Sequence, residues 1–144
     1  MTIMHAQVED YKEISVLLEQ LGYNDTELFL QDKIRESLVN STEEILVYKI
    51  ENKVVALLSI NFISQLALKG YFARISYFVV DEEHRNSGIG IEMEEYCVNL
   101  AKFKSCDRIE VHCNSKRIKS HQFYHKLGYI ESPKYFIKSL NTNN

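Results

Sequence analysis

Three features of the sequence predict a mixed α/β domain built on a mostly antiparallel sheet. Short apolar runs of strand length alternate with stretches whose apolar residues recur at helical spacing. Three of those runs follow one another with only turn signals between them, which makes an antiparallel meander. A helical pattern then separates the meander from a further strand, as a crossover connection requires. The expected order is β-α-α-β-β-β-α-β-α-β, with helices flanking a central sheet; a doubly wound fold is not expected. The 144 residues suffice for one domain with a substantial core and are too few for two. A single domain over residues 1–140 is expected, with an unstructured tail at 141–144.

The elements follow in order. Residues 2–7 read as a first strand. Tyr11, Ile14, Leu17, Leu18 and Leu21 then repeat at helical spacing, and Gly22 stands where a helix end favours a left-handed residue. Asn24 followed by Glu27 looks like an N-cap with its reciprocal acid, so a second helix is expected over 25–39. Strands over 44–50 and 53–62 flank Glu51-Asn52, a tight hairpin turn. Val54-Val55-Ala56-Leu57-Leu58 is apolar on both faces and belongs in the middle of the sheet. A loop over 65–70 leads to a strand over 71–80. Ile89, Met93, Tyr96, Cys97 and Leu100 line one face of a helix of about four turns. A strand over 108–113, a short helix over 116–126 closed by Gly128, and a last strand over 135–140 complete the series.

Composition narrows the function. A net charge of −3, with scattered lysines and arginines, gives no electrostatic footprint for nucleic acid. The longest apolar stretch, 54–63, is interrupted by Ser59 and Asn61 and is far too short to span a bilayer. Cys97, Cys106 and Cys113 are an odd number without metal-ligand spacing. With no signal peptide at the start they read as reduced thiols of a cytoplasmic protein. No metal site is expected.

The stretch that organises the chain is Phe78-Val79-Val80, then a charged turn, then Arg85-Asn86-Ser87-Gly88-Ile89-Gly90-Ile91. A strand exit, a glycine-rich turn and a helix start together make a holder for phosphate. The first N–H groups of a helix have no intrahelical partner, and the helix dipole favours an anion there. A loop that merely turns a strand into a helix uses the same residues. The absence of Gly-Lys-Ser/Thr, and of a Gly-x-Gly-x-x-Gly opening a βαβ unit near the N-terminus, argues against a nucleotide-binding domain.

Arg85-x-x-Gly88-x-Gly90, between an apolar strand and a helix, resembles the acyl-CoA signature of the GNAT superfamily of N-acetyltransferases. The stretch from Asn114 to Tyr129, with Arg117, His121 and Phe123-Tyr124 before Gly128-Tyr129, is similar to the family's second motif. The likeness is close over 71–140 and elsewhere rests on element order. One departure is Glu82, where relatives often carry proline.

The resemblance implies a GNAT-like fold and an acyltransferase that moves an acetyl group from acetyl-CoA to a primary amine by direct transfer in a ternary complex. The rival is a non-catalytic acyl-CoA-binding or sensing module. By resemblance, backbone N–H groups of Arg85, Asn86, Ser87, Gly88, Ile89, Gly90 and Ile91 hold the pyrophosphate of coenzyme A. A Cβ at Gly88 or Gly90 would stand where phosphate oxygens come close. Asp81, Glu82 and Glu83 are expected to point outward. Phe78, Val79 and Val80 offer backbone groups to the pantetheine arm. The Asn114 amide reaches the same arm or caps the following helix.

Tyr124 is implied as the general acid for the departing thiolate, since a phenol near pKa ~10 holds its proton at neutral pH. Its other reading is a core aromatic, sharing a face with Ser120, Phe123 and Leu127. His121 reads as a base, a coenzyme A contact, a polar neighbour of the tyrosine or a structural histidine. Arg117 reads as a partner for phosphate or a backbone carbonyl. Glu110 and His112 are alternatives for the base, and ordered water is another. The acceptor groove is expected at 23–30, 62–71 and 132–136, with Asp25, Glu27, Phe29 and Tyr71 suited to a cationic, partly apolar amine. A homodimer through the last strand is a further expectation.

Overall fold

The computed structural model describes residues 2–112, 117–132 and 135–140. They belong to two compact units, 1–112 and 113–144.

The first unit is a five-stranded sheet in the order β1-β2-β3-β4-β5, made of β1 (Thr2–His5), β2 (Glu43–Ile50), β3 (Lys53–Ile63), β4 (Tyr71–Val80) and β5 (Cys106–Val111). The first four strands pair antiparallel, and β4 pairs β5 in parallel. Parallel pairing needs a long crossover, supplied by α3 (Ile89–Phe103). Helices α1 (Tyr11–Gln20) and α2 (Glu27–Val39) lie between β1 and β2 in sequence. Glu51 and Asn52 both take positive φ, 51° and 65°. That is the turn whose twist matches a two-residue hairpin.

Strand β3 is buried from Val54 to Ile60 because both sheet faces are covered. On one face Leu46, Tyr48, Ala56, Leu58, Ile60, Ala73 and Ile75 meet Ile89, Met93, Cys97 and Ala101 of α3. On the other, Val47, Val54, Leu57 and Val79 meet Ile14, Leu17, Leu18, Leu30 and Ile34 of α1 and α2. Two independent cores therefore clamp the same central strand.

Several boundaries differ from expectation. The first strand ends at His5 because Asp10 folds back: its carboxylate accepts from the Gln7 N–H (2.8 Å), starting a 3₁₀ turn. Asn24 does not cap α2. Asp25 is left-handed (φ 62°), and Thr26 precedes the helix, its hydroxyl bonded to Ser15 on α1 (3.2 Å). Tyr96 lies off the buried seam of α3, where Glu94 is buried instead. Strand β5 begins at Cys106, two residues early, because left-handed Ser105 (φ 61°) ends the preceding turn and brings Cys106 opposite Tyr71.

The second unit contains α4 (Ile118–Lys126), ended by Gly128 at φ 93°. Among the described residues the expected strand over 135–140 is not assigned, and the apolar side chains of Tyr135, Phe136, Ile137 and Leu140 are exposed. The expected tail at 141–144 lies outside the described residues.

Candidate functional site

The β4–β5 register runs only to Ile75 opposite Val111, whereas β4 continues to Val80 along β3. Strand β4 thus continues along β3 for five residues past its last described pairing with β5. A bulge follows this pairing: Ile75 faces Ile60 and Tyr77 faces Ser59, leaving Ser76 as the additional residue. A bulge bends its strand and adds twist. Ser76 is held by donating its hydroxyl to the Asn61 side-chain oxygen (2.7 Å). Val79 is buried in the α1/α2 core, and Phe78 and Val80 pack against the α3 core. The Val80 carbonyl accepts from Arg85 Nε (3.1 Å), so the arginine of the turn bridges back to the strand it leaves.

Beyond Val80 the chain is fixed by its own hydrogen bonds. The Asp81 N–H donates to the Val55 carbonyl and the His84 N–H to the Asp81 carbonyl, both at 2.8 Å. Asn86 and Gly88 follow with φ of 64° and 89°. The first α3 hydrogen bond runs from Glu92 N–H to the Gly88 carbonyl (3.1 Å). The amides of Ile89, Gly90 and Ile91 therefore precede the first intrahelical bond, as orphan donors at the positive end of a fifteen-residue helix. Ile89 is buried in the α3 core and anchors this start, while Asn86 and Ser87 are exposed. The Ser87 hydroxyl donates to the His84 carbonyl.

Asp81 departs from the outward orientation expected of it. Its Oδ1 accepts from Gln20 Nε2 (2.8 Å) and its Oδ2 lies 2.8 Å from His84 Nδ1. The Gln20 hydrogen bond, helped by His84, holds the carboxyl below its ordinary range against the opposing effect of burial. Glu82 and Glu83 are exposed as expected. Gln20 had no signal in its own neighbourhood, because its partner is 61 residues away.

In the second unit, Arg117, His121 and Tyr124 recur at helical spacing along α4. Arg117 is exposed before the first turn, and its carbonyl accepts from the His121 N–H (3.1 Å). His121 and Tyr124 are half-buried. The Tyr124 ring stands edge-on to Phe123 and to Tyr129, each with centroids 5.3 Å apart. The Tyr129 N–H bonds the Tyr124 carbonyl (3.0 Å), closing the helix over this aromatic group. Asn114 lies outside the described residues.

Of the expected acceptor groups, Asp25, Glu27, Phe29 and Tyr71 are all exposed. Tyr23 meets Tyr77 edge-on at 5.5 Å, tying the α1–α2 connection to the bulged part of β4. The 65–70 loop is held by Gln65, which donates to the Gly70 carbonyl (2.9 Å) and to Asp107 (2.8 Å). An open cavity of about 470 Å³ lies between Thr42, Asn61, Ser64, Arg74 and Ser76. Glu110 is occupied by Arg74 (3.3 Å) and Arg108 (2.9 Å). Burial works to raise its pKa, and the two guanidinium groups outweigh that and lower it. A carboxylate held ionised in this way is a poor proton acceptor. His112 is exposed at the end of β5.

Residues 5–129 match the model of the acetyltransferase (GNAT) family. An aminoglycoside antibiotic 6′-N-acetyltransferase from Acinetobacter haemolyticus is similar in structure with a TM-score of 0.80 at 20% identity, over 98% of this chain and 100% of that one. A ribosomal-protein-alanine N-acetyltransferase from Brucella melitensis biovar Abortus 2308 gives 0.79 at 12%, over 97% and 100%. A transcriptional regulator from Bacillus halodurans C-125 gives 0.85 at 18%, over 96% and 99%. At these identities the likeness establishes the fold.

Proposed function

The chain belongs to the GNAT family of acetyltransferases, and on that premise we propose that it transfers the acetyl group of acetyl-CoA directly to a primary amine within a ternary complex. The observation that carries this reading is the strand-to-helix turn. Backbone amides at 89–91 precede the first α3 hydrogen bond, in the turn that follows β4. Pyrophosphate is the ligand those donors suit, because several convergent N–H groups and a helix dipole bind an anion without a side-chain cation. In this reading the backbone of residues 78–80, at the end of β4, serves the extended, amide-bearing pantetheine arm.

The chemistry balances with few groups. The neutral amine nitrogen attacks the thioester carbonyl carbon, the C–S bond breaks, and the nitrogen loses a proton to solvent or a nearby base. The thiolate takes a proton from the Tyr124 phenol, which is recharged from water. Arg117 and His121 serve the coenzyme or orient the tyrosine. Exposed Asp25 and Glu27 favour a cationic acceptor in the region of the α1–α2 connection. Small-molecule amines, amino-acid derivatives, aminoglycosides and protein N-termini or lysines belong in the same screen.

The test is that screen, monitored by thiol release from acetyl-CoA, with Tyr124→Phe alongside. The expected result is turnover with one amine class and a loss of about 10²–10⁴ in kcat for Tyr124→Phe, with coenzyme A affinity kept. Unchanged turnover in that variant removes Tyr124 from the reaction. Tight acetyl-CoA binding without turnover on any amine leaves an acyl-CoA-binding module.

A further inference from the structure

We propose that Gln20, the last residue of α1, is a positioning residue that sets the turn for the pyrophosphate of coenzyme A; this rests on the reading of 85–91 given above. Both ends of its side-chain amide are used on the same segment. Nε2 donates to Asp81 Oδ1 at 2.8 Å, and Oε1 accepts from the Glu82 N–H at 3.1 Å. The amide is delivered from a rigid platform, because Ile14, Leu17 and Leu18 of the same helix are at most 7% exposed.

The contact is directed at the functional turn rather than at the core. Asp81 passes the constraint on: its other oxygen meets His84 Nδ1 and its carbonyl accepts from the His84 N–H. The His84 carbonyl in turn takes the Ser87 hydroxyl. Two residues in this run, Asn86 and Gly88, hold positive φ, and a non-glycine residue in that region relaxes unless its surroundings fix it. Among the described residues, Gln20 is the only side chain from outside the segment that hydrogen-bonds it between 81 and 91. The charges facing Asp81 are His84 and Lys53.

The experiment compares wild type, Gln20→Leu and Gln20→Glu for coenzyme A affinity by calorimetry, and for S-acetylpantetheine, which lacks the pyrophosphate, by NMR titration. Gln20→Leu is expected to bind coenzyme A about tenfold more weakly, the equivalent of one misaligned hydrogen bond. Its affinity for S-acetylpantetheine should stay within about twofold of wild type. Gln20→Glu keeps the acceptor for Glu82 N–H but sets a carboxylate against Asp81. It should bind coenzyme A weakly at pH 7 and regain affinity relative to wild type at pH 5, as the two carboxylates come to share a proton. Equal affinity of wild type and Gln20→Leu for coenzyme A overturns the proposal. So does an equal loss toward both ligands, or a Gln20→Glu defect that ignores pH. Failure of the wild-type protein to bind coenzyme A refutes the reading of the turn itself, and this proposal with it.

Discussion

Replacing Gly88 by alanine separates backbone geometry from steric exclusion at the turn. Gly88 stands at φ 89°, ψ −3° immediately before α3. A Cβ built there meets no atom within 4 Å, so the free protein has room for the methyl group. The cost is therefore conformational. Holding an L-residue in the left-handed region costs about 1–2 kcal/mol. The stiffer unfolded chain returns about 0.4–1 kcal/mol of this. A net loss of about 1 kcal/mol is expected, which in a chain of this size lowers Tm by about 3 °C. Gly88→Asn should lose less, because asparagine tolerates this region, as Asn86 does two residues earlier at φ 64°. Urea unfolding at unchanged m-value measures the difference. Calorimetry with coenzyme A should find a loss beyond about tenfold for Gly88→Ala, as relaxation of the strained residue swings the amides of Ile89 to Ile91 away from a common focus. A Gly88→Ala protein as stable as wild type would show that φ is not held positive there, and the geometric role of this glycine would fall. An equal loss in Gly88→Asn would shift the cause from φ to the side chain.

Two further outcomes test the frame around the turn. The lowered pKa of Asp81 contributes stability that is fully present above the ordinary carboxylate value, near pH 4, and is lost as the pH falls through the lowered folded value. Asp81→Asn should accordingly be less stable than wild type at pH 7, with a shallower decline below about pH 4, as followed by circular dichroism. Leu58→Ala, at a fully buried position of the α3-side core, should cost about 2–5 kcal/mol in urea unfolding. Leu28→Ala, at 86% exposure, should stay within about 0.5 kcal/mol.

Most of the fold was readable because its signals are local. The hairpin at Glu51-Asn52 and the helix stop at Gly22 were signalled by Asn52 and Gly22, residues that tolerate positive φ, and both adopt it (65° and 101°). The two-sided burial of β3 followed from its unbroken apolar run. Boundaries set by distant partners were not readable. Thr26 rather than Asn24 precedes α2, with its hydroxyl on Ser15 of another helix. Residues 135–140 have the composition of a strand without forming one among the described residues.

The site divides along the same line. The Arg85-x-x-Gly88-x-Gly90 spacing marked the turn, because orphan backbone donors at a helix start and a positive-φ glycine at 88 leave a compact signature in one short stretch of chain. Its immobilisation by Gln20 was invisible, since it joins residues 61 positions apart. The outward orientation expected of Asp81 failed for the same reason: side-chain direction is set by what tertiary packing brings near, and here it brought an amide and an imidazole. The sequence by itself determined the order of elements from β1 to α4, the crossover helix and the place where orphan amides would gather, all consequences of periodicity and turn chemistry within a few residues. Only the tertiary structure decided that β4 pairs β5 in parallel with Ile75 opposite Val111, that Ser76 is the bulged residue, and that a helix end from the first twenty residues holds the turn. Strand register and long-range hydrogen bonds are properties of pairs of segments, and neither segment carries them alone.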